Sequence, residues 1–230
     1  MIIMAEIAKG RLFHKVGVLG RFKPLHLGGA RMLDAVCQNS KDVVIGIGSC
    51  NPELYSARNP FTVEETEAML RAYLEPRYSN FTIIHVPDFG HIPQYKDGNK
   101  WLENTTGLFG KLDAFVTSNP YVTELLKRSY RIVHPASLIP KEQHIYLCAT
   151  EVRYEIASYQ DWKKLVPEEV ATYMEKNGLD HRLRKEFGLE ILANFKESKS
   201  YFAEHDGHPD VVYSREEDIA HEKNNVTGVP

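Results

Sequence analysis

The sequence predicts an α/β protein in one domain, residues 1–178, with a helical and irregular carboxy-terminal extension, 179–230. Three observations lead there. Short, β-branched apolar runs recur through the first domain, and each is followed by a stretch with helical spacing. Runs such as "DVVIGIGS" are apolar on both faces, as strands covered by helices on two sides are. Alternation of this kind builds a doubly wound, Rossmann-like parallel sheet.

The elements follow in order. "KVGVLG" is the first strand, and a helix runs from about Gly28 to Cys37. "DVVIGIGS", from Asp42, is the second strand. In "NPFTVEETEAMLRAYL", Thr62 is a natural N-cap, Glu65 completes a capping box, and Met69, Leu70 and Tyr73 form an apolar helix face. "FTIIHVPD" and "DAFVTSN" are the third and fourth strands, and Pro120 suits the first turn of the helix after them. "RIVHP" is a short fifth strand. "TEVRYEIA" and "VPEEVATYMEKNG" are helices, the second opened by Pro167 and stopped at Gly178. "GHIPQYKDGNKWLENTTGLFG" shows no period and reads as irregular. Past Leu179, "HRLRKEFGLEILANFKE" has helical spacing and the rest is polar. There is no internal repeat.

Composition removes several function classes. A formal net charge of -3, with no basic stripe, argues against a nucleic-acid partner. No run approaches the ~20 apolar residues of a membrane span. The amino terminus has its apolar part before its charges, unlike a secretory signal. The three cysteines, Cys37, Cys50 and Cys148, form no CxxC and no Cys/His zinc pair, so no metal-ligating residues are assigned. Sparse cysteines fit a reducing compartment, and the reading is cytoplasmic. His205 and His208 read as exposed residues of a polar tail.

The chemistry concentrates in "VGVLGRFKPLHLGGARML", residues 16–33. A strand ends at Gly20, where the backbone can approach closely. A helix starts near Gly28 and aims its dipole and free N–H groups back at the turn. Arg21 and Lys23 add positive charge, and His26 stands just before the helix. The turn is an anion cradle or a purely structural Gly-rich connection. It is neither a Walker loop nor GxGxxG.

"GRFKPLHLGG" resembles the GRFxPxHxGH signature of the nucleotidylyltransferase superfamily. "VVIGIGSCNPELYSARNPFTVEETEAML", "FVTSNPYVTELL", "CATEVRYEIA" and "WKKLVPEEVATYMEK" extend the resemblance, in order, to the archaeal-type nicotinamide-mononucleotide adenylyltransferases. That resemblance implies the nucleotidylyltransferase type of sheet. It also implies ATP as substrate, Mg²⁺ bridging its phosphates, nicotinamide mononucleotide as acceptor, NAD and pyrophosphate as products, and a homo-oligomer. It further implies roles. Gly20, Arg21 and Phe22 form the turn beside the nucleotide, with Gly28 at the helix start. His26 meets the reacting phosphates, or is a hydrogen-bonded structural histidine. Thr150 and Arg153, with Cys148 and Ala149 at a second helix start, hold the β- and γ-phosphates; the alternative for Arg153 is a surface ion pair. Thr117 and Asn119 contact adenine or ribose, or Asn119 caps a helix. Asn59 and Phe61 line the acceptor pocket or merely begin a helix. Trp101 stacks on the nicotinamide ring or belongs to a core or interface.

Three features depart from the pattern. Gly29 stands where the signature has its second histidine, Cys148 stands where a hydroxyl is usual, and the irregular segment replaces a substrate loop. The readings are thus an adenylyltransferase for nicotinamide mononucleotide, with a slowed rate; a transferase for another phosphorylated acceptor or using CTP; and a nucleotide-binding sensor or scaffold.

Overall fold

The computed structural model describes residues 12–204, with side chains to residue 194. The first eleven residues and the tail with His205 and His208 lie outside the described residues, as do the readings made of them.

Five strands form one parallel sheet: β1 (Phe13–Gly20), β2 (Ser40–Gly48), β3 (Phe81–Val86), β4 (Ala114–Val116) and β5 (Ile132–Val133), in spatial order β3-β2-β1-β4-β5. Val18 of β1 lies opposite Ile45 of β2 on one side and Val116 of β4 on the other. The chain builds outward from β1 to β3, then crosses to β4. The order therefore reverses beside β1, and ligands of such sheets bind at the carboxy ends of the strands there.

Alternation along the strands separates two cores. Val16, Val18, Val43, Ile45, Ala114 and Val116 belong to the larger one. The helices α1 (Leu27–Asn39), α2 (Val63–Leu74), α5 (Ala149–Ala157), α6 (Glu168–Lys176) and α7 (Leu179–Glu204) bury residues in the same core. Val44 and Phe115 face the smaller core with α3 (Asn99–Phe109) and α4 (Pro120–Leu126). The local signals hold. Glu65 N–H donates to the Thr62 hydroxyl at 3.2 Å and Thr62 N–H to the Glu65 carboxylate at 2.9 Å. Pro120 opens α4, and Gly178, at φ 62°, follows the C-cap of α6.

Helix α3 corrects the sequence reading of residues 90–110 as irregular. Its start has no side-chain cap on its own N-cap residue, Gly98, which takes φ 78°. Asp97 instead accepts from Asn99 N–H at 3.1 Å. Thr105, Thr106 and Gly107 dilute the helical signal, since β-branched residues and glycine are weak helix formers. Tertiary packing decides the matter: Phe109 is 2% exposed. Its ring lies where a Cβ at Gly46 would come within 2.8 Å of Cζ.

Candidate active site

The turn after β1 is built by packing as much as by charge. Phe22 takes φ 51° and folds its ring back over Gly20, so that a Cβ at Gly20 would stand 2.7 Å from the ring. Phe22 is thus a core residue of the turn, 8% exposed. Lys23 points inward as well. Its ammonium donates to the carbonyl of Ser49, just past β2, at 3.1 Å. Burial, then the neighbouring Arg21 charge, hold the Lys23 ammonium down to about 8.

His26 is the N-cap of α1. Its Nδ1 accepts from Gly29 N–H at 3.2 Å, and its carbonyl accepts from Ala30 N–H at 2.8 Å. A ring nitrogen that accepts carries no proton, so the neutral imidazole has its hydrogen on Nε2. Burial, and secondarily the charge of Arg153, hold the imidazole down to about 4. At neutral pH His26 is therefore an uncharged donor. Gly28 is the close-approach point: a Cβ there would be 2.9 Å from the carbonyl oxygen of Ile145, in the segment leading to α5. Gly29 is buried, and a Cβ there would meet Leu25 Cδ1 at 3.3 Å and His26 Nε2 at 3.7 Å.

Helix α5 brings the second arm. Cys148 is its N-cap, Ala149 its first residue, and the Cys148 N–H donates to the Glu151 carboxylate at 2.8 Å. Burial pushes the Cys148 thiol up. Arg153 is 8% exposed. Its Nη1 donates to the carbonyl of Lys23 at 3.0 Å and its Nη2 to the Thr150 hydroxyl at 3.0 Å. Arg153 is thus buried rather than on the surface, and it ties the start of α5 to the turn after β1. The fold gathers Gly20, Lys23, His26, Gly28, Thr150 and Arg153 at one place, the carboxy edge of β1. A second concave patch lies near the amino-terminal edge of the sheet, lined by His14, Lys15, Lys111, Asp113 and Tyr130 among others. None of the candidate site residues lies in it.

The remaining candidates fall into place less directly. Thr117 follows β4, and its hydroxyl accepts from Asn119 N–H at 3.1 Å. The Asn119 side chain caps α4, accepting from Tyr121 N–H at 2.9 Å and Val122 N–H at 3.3 Å. Asn59 is buried and pairs through its backbone with Ser56. Phe61, 1% exposed, spends its ring on the larger core. Trp101 lies on α3, partly buried against the smaller core. Sequence reasoning missed a polar network past β2. Ser49, at φ 51°, donates its hydroxyl to Asp88 at 3.2 Å, and Asp88 N–H donates to the Asn51 side chain at 2.7 Å. The available signal was position: Ser49 and Asp88 directly follow two neighbouring strands at the edge where ligands sit.

Relatives fit this geometry. A cytidylyltransferase-like family model matches residues 18–93. The nicotinamide-nucleotide adenylyltransferase of Thermococcus sibiricus is 30% identical over 163 residues, which are 69% of this chain and 81% of the relative. This chain belongs to the nicotinamide-nucleotide adenylyltransferase family. The adenylyltransferase of Archaeoglobus fulgidus is 29% identical over 167 residues, covering 72% of this chain and 93% of that one. Among solved structures, a bifunctional NMN adenylyltransferase/ADP ribose pyrophosphatase from Francisella tularensis, complexed with AMP and a manganese ion, shares the fold. Its TM-score is 0.57 and its identity 21%, over 82% of this chain. The chain spans about half of that longer protein, 54%. The junction of α1 and α5, at the carboxy edge of β1, is the candidate site.

Proposed function

We propose that the protein transfers AMP from ATP to nicotinamide mononucleotide, giving NAD and pyrophosphate. The supporting observation is the single cluster in which α1 and α5 start side by side, joined by Arg153, with the Nε2–H of His26 as an uncharged donor. Two helix starts and buried cations suit a triphosphate. The acceptor phosphate, with a second pKa of about 6, is already an anion at neutral pH. It needs no general base. Its oxygen forms a bond to the α-phosphorus, and the bond to the bridging oxygen breaks in line, the electron pair leaving with pyrophosphate.

In this reading His26 donates to an oxygen of the reacting phosphoryl group, and Lys23 and Arg153 offset charge on the phosphates. Thr150 and the first N–H groups of α5, from Ala149, hold the leaving pyrophosphate. Arg21 lies beside the nucleotide, and Thr117 borders its adenosine end. Among the described residues no group of three or more His, Cys, Asp or Glu side chains is placed to hold a metal. The triphosphate would therefore supply the main ligands of the Mg²⁺ that the family resemblance implies. When bound, that ion draws charge off the phosphates. We also propose a cytoplasmic homo-oligomer. Among the described residues no helix is long and apolar enough to cross a membrane.

Gly29 favours a second reading, a nucleotide-binding sensor, because one expected donor is missing. The test is pyrophosphate release from ATP or CTP, with Mg²⁺ and a panel of phosphorylated acceptors. ATP with nicotinamide mononucleotide should yield pyrophosphate and NAD in equal amounts. Release with a different acceptor would reassign the substrate. Binding of a non-hydrolysable ATP analogue with no release from any pair would favour the sensor.

A further inference from the structure

Helix α7 is anchored in the larger core by Leu179, Leu183 and Ile191, at 3%, 1% and 6% exposure. From that anchorage it grips two other segments. On one side, Arg182 forms a bidentate pair with Glu65, both contacts at 2.6 Å, and donates to the carbonyl of Pro60 at 3.1 Å. Its guanidinium also lies 5.9 Å from the ring centre of Tyr55. The Tyr55 hydroxyl donates to Glu186 at 2.5 Å, and Phe187 meets the Tyr55 ring edge-on at 5.1 Å. On the other side, Arg184 donates to the carbonyl of Ile156, in the last turn of α5, at 2.8 Å.

The segment gripped by Arg182 leads from β2 into α2, so it stands at the carboxy edge of the sheet. Glu65 already completes the capping box of α2, and the negative charges of Glu64 and Glu65 reach Lys23 in the site. Within the segment, Asn59 is 7% exposed and its Oδ1 is buried with no hydrogen-bond partner among the described residues. An unpaired buried acceptor is costly and persists only where its surroundings fix the backbone. In the adenylyltransferase reading the starts of α1 and α5 take the triphosphate; the gripped segment follows β2, the neighbour of β1, at the same edge of the sheet.

We propose that Arg182 is a positioning residue for the acceptor mononucleotide: through Glu65 and the Pro60 carbonyl it sets residues 56–62 as the acceptor wall. The extension helix is thus part of the acceptor half of the site. This rests on the adenylyltransferase reading above.

The test uses the full chain and varies each substrate of NAD formation separately. Arg182→Ala should raise KM for nicotinamide mononucleotide on the order of tenfold, since small misplacements of binding groups are expensive. KM for ATP and the affinity for a non-hydrolysable ATP analogue should stay within about twofold, and Arg182→Lys should recover part of the loss. If Arg182→Ala does not fold, Arg182→Lys and Arg182→Gln, which lose the bidentate pair with Glu65 but keep most of the side-chain stem, carry the same comparison. Both KM values moving together, or neither moving, would overturn the proposal. Hydrogen exchange reads the brace without substrate: Arg182→Ala should speed exchange at residues 56–62 and leave 149–153 unchanged. Unchanged exchange at 56–62 would overturn it as well. A wild type that binds the ATP analogue but makes no NAD removes the functional reading, and the acceptor role with it. The exchange result would still report whether the brace exists.

Discussion

The starts of α1 and α5 meet at the same place and both depart from the family pattern, but the departures differ in kind. At α5 the unusual residue is Cys148, and the structure covers for it. The Cys148 N–H is satisfied by Glu151, the Thr150 hydroxyl is held by Arg153, and Arg153 is locked to Lys23. At α1 the unusual residue is Gly29, and the nearest side-chain atoms to a Cβ there belong to Leu25 and the ring of His26. In the proposed site the α5 start works through backbone N–H groups and neighbours, which Cys148 leaves in place. The α1 start lacks the side chain that the family resemblance implies at position 29. On that proposal a helix start tolerates change where N–H groups do the work and not where a side chain does.

The largest expected effect comes from restoring that side chain. Gly29→His should raise the rate of NAD formation by ~10²-fold, if the new imidazole reaches the charge developing beside His26. The nearest atom to a Cβ at position 29 is the end of a flexible side chain, Leu25 Cδ1 at 3.3 Å, which must give by a few tenths of an ångström. Gly29→Ala is the control, because it gains helix propensity without a donor. Equal rates in the two variants would mean that the missing donor is not what separates α1 from α5.

Arg153→Ala should sharpen the comparison from the other side. It removes the bond that ties α5 to the turn, at the Lys23 carbonyl, and the Thr150 bond within α5, so the two helix starts should separate. Each charge-assisted hydrogen bond lost costs about 1.5–3 kcal/mol. Denaturant unfolding should show the loss of stability, and calorimetry with an ATP analogue should show weaker binding. If binding weakens while stability is unchanged, Arg153 acts on the ligand alone and the tie to Lys23 is incidental.

A smaller effect is expected from pH. Burial lowers the Lys23 ammonium to about 8, so its charge is lost as pH rises through that value. Phosphate binding should weaken on the same limb, and kcat/KM should fall above about pH 8. The sign for folding is opposite: the unfolded lysine keeps its proton up to its ordinary 10.5, so between about 8 and 10.5 stability gains with rising pH. In Lys23→Met both limbs should vanish. A pH profile identical to wild type would remove Lys23 from the site.

Much of this arrangement was written locally. The β-branched runs placed the sheet, Thr62 and Glu65 gave their capping box, and Gly178 its helix stop. The motif residues His26, Thr150 and Arg153 were legible as a set. What sequence could not show was direction. Lys23 reads as positive charge in the turn, and only the fold shows it directed inward to Ser49. Asn119 reads equally as a ligand contact and as a cap, and its two backbone donors show it caps α4. Arg182 and Glu65 are far apart in the chain, so nothing local joined the extension to the start of α2. Helix α3 was hidden because its capping comes from Asp97 and its stability from Phe109 against Gly46.

The proposed phosphate site, shared by α1 and α5, requires His26 to be an uncharged Nε2–H donor. Nitrogen-15 NMR of the histidine ring, with and without a non-hydrolysable ATP analogue, tests this most directly. A bare Nδ1 and a protonated Nε2 are expected at neutral pH, with a titration midpoint of about 4 and shifts on analogue binding at Nε2 and at the amides of Ala149 and Thr150. A midpoint near the ordinary 6.5, or analogue binding that leaves His26 and the α5 amides unmoved, would contradict it.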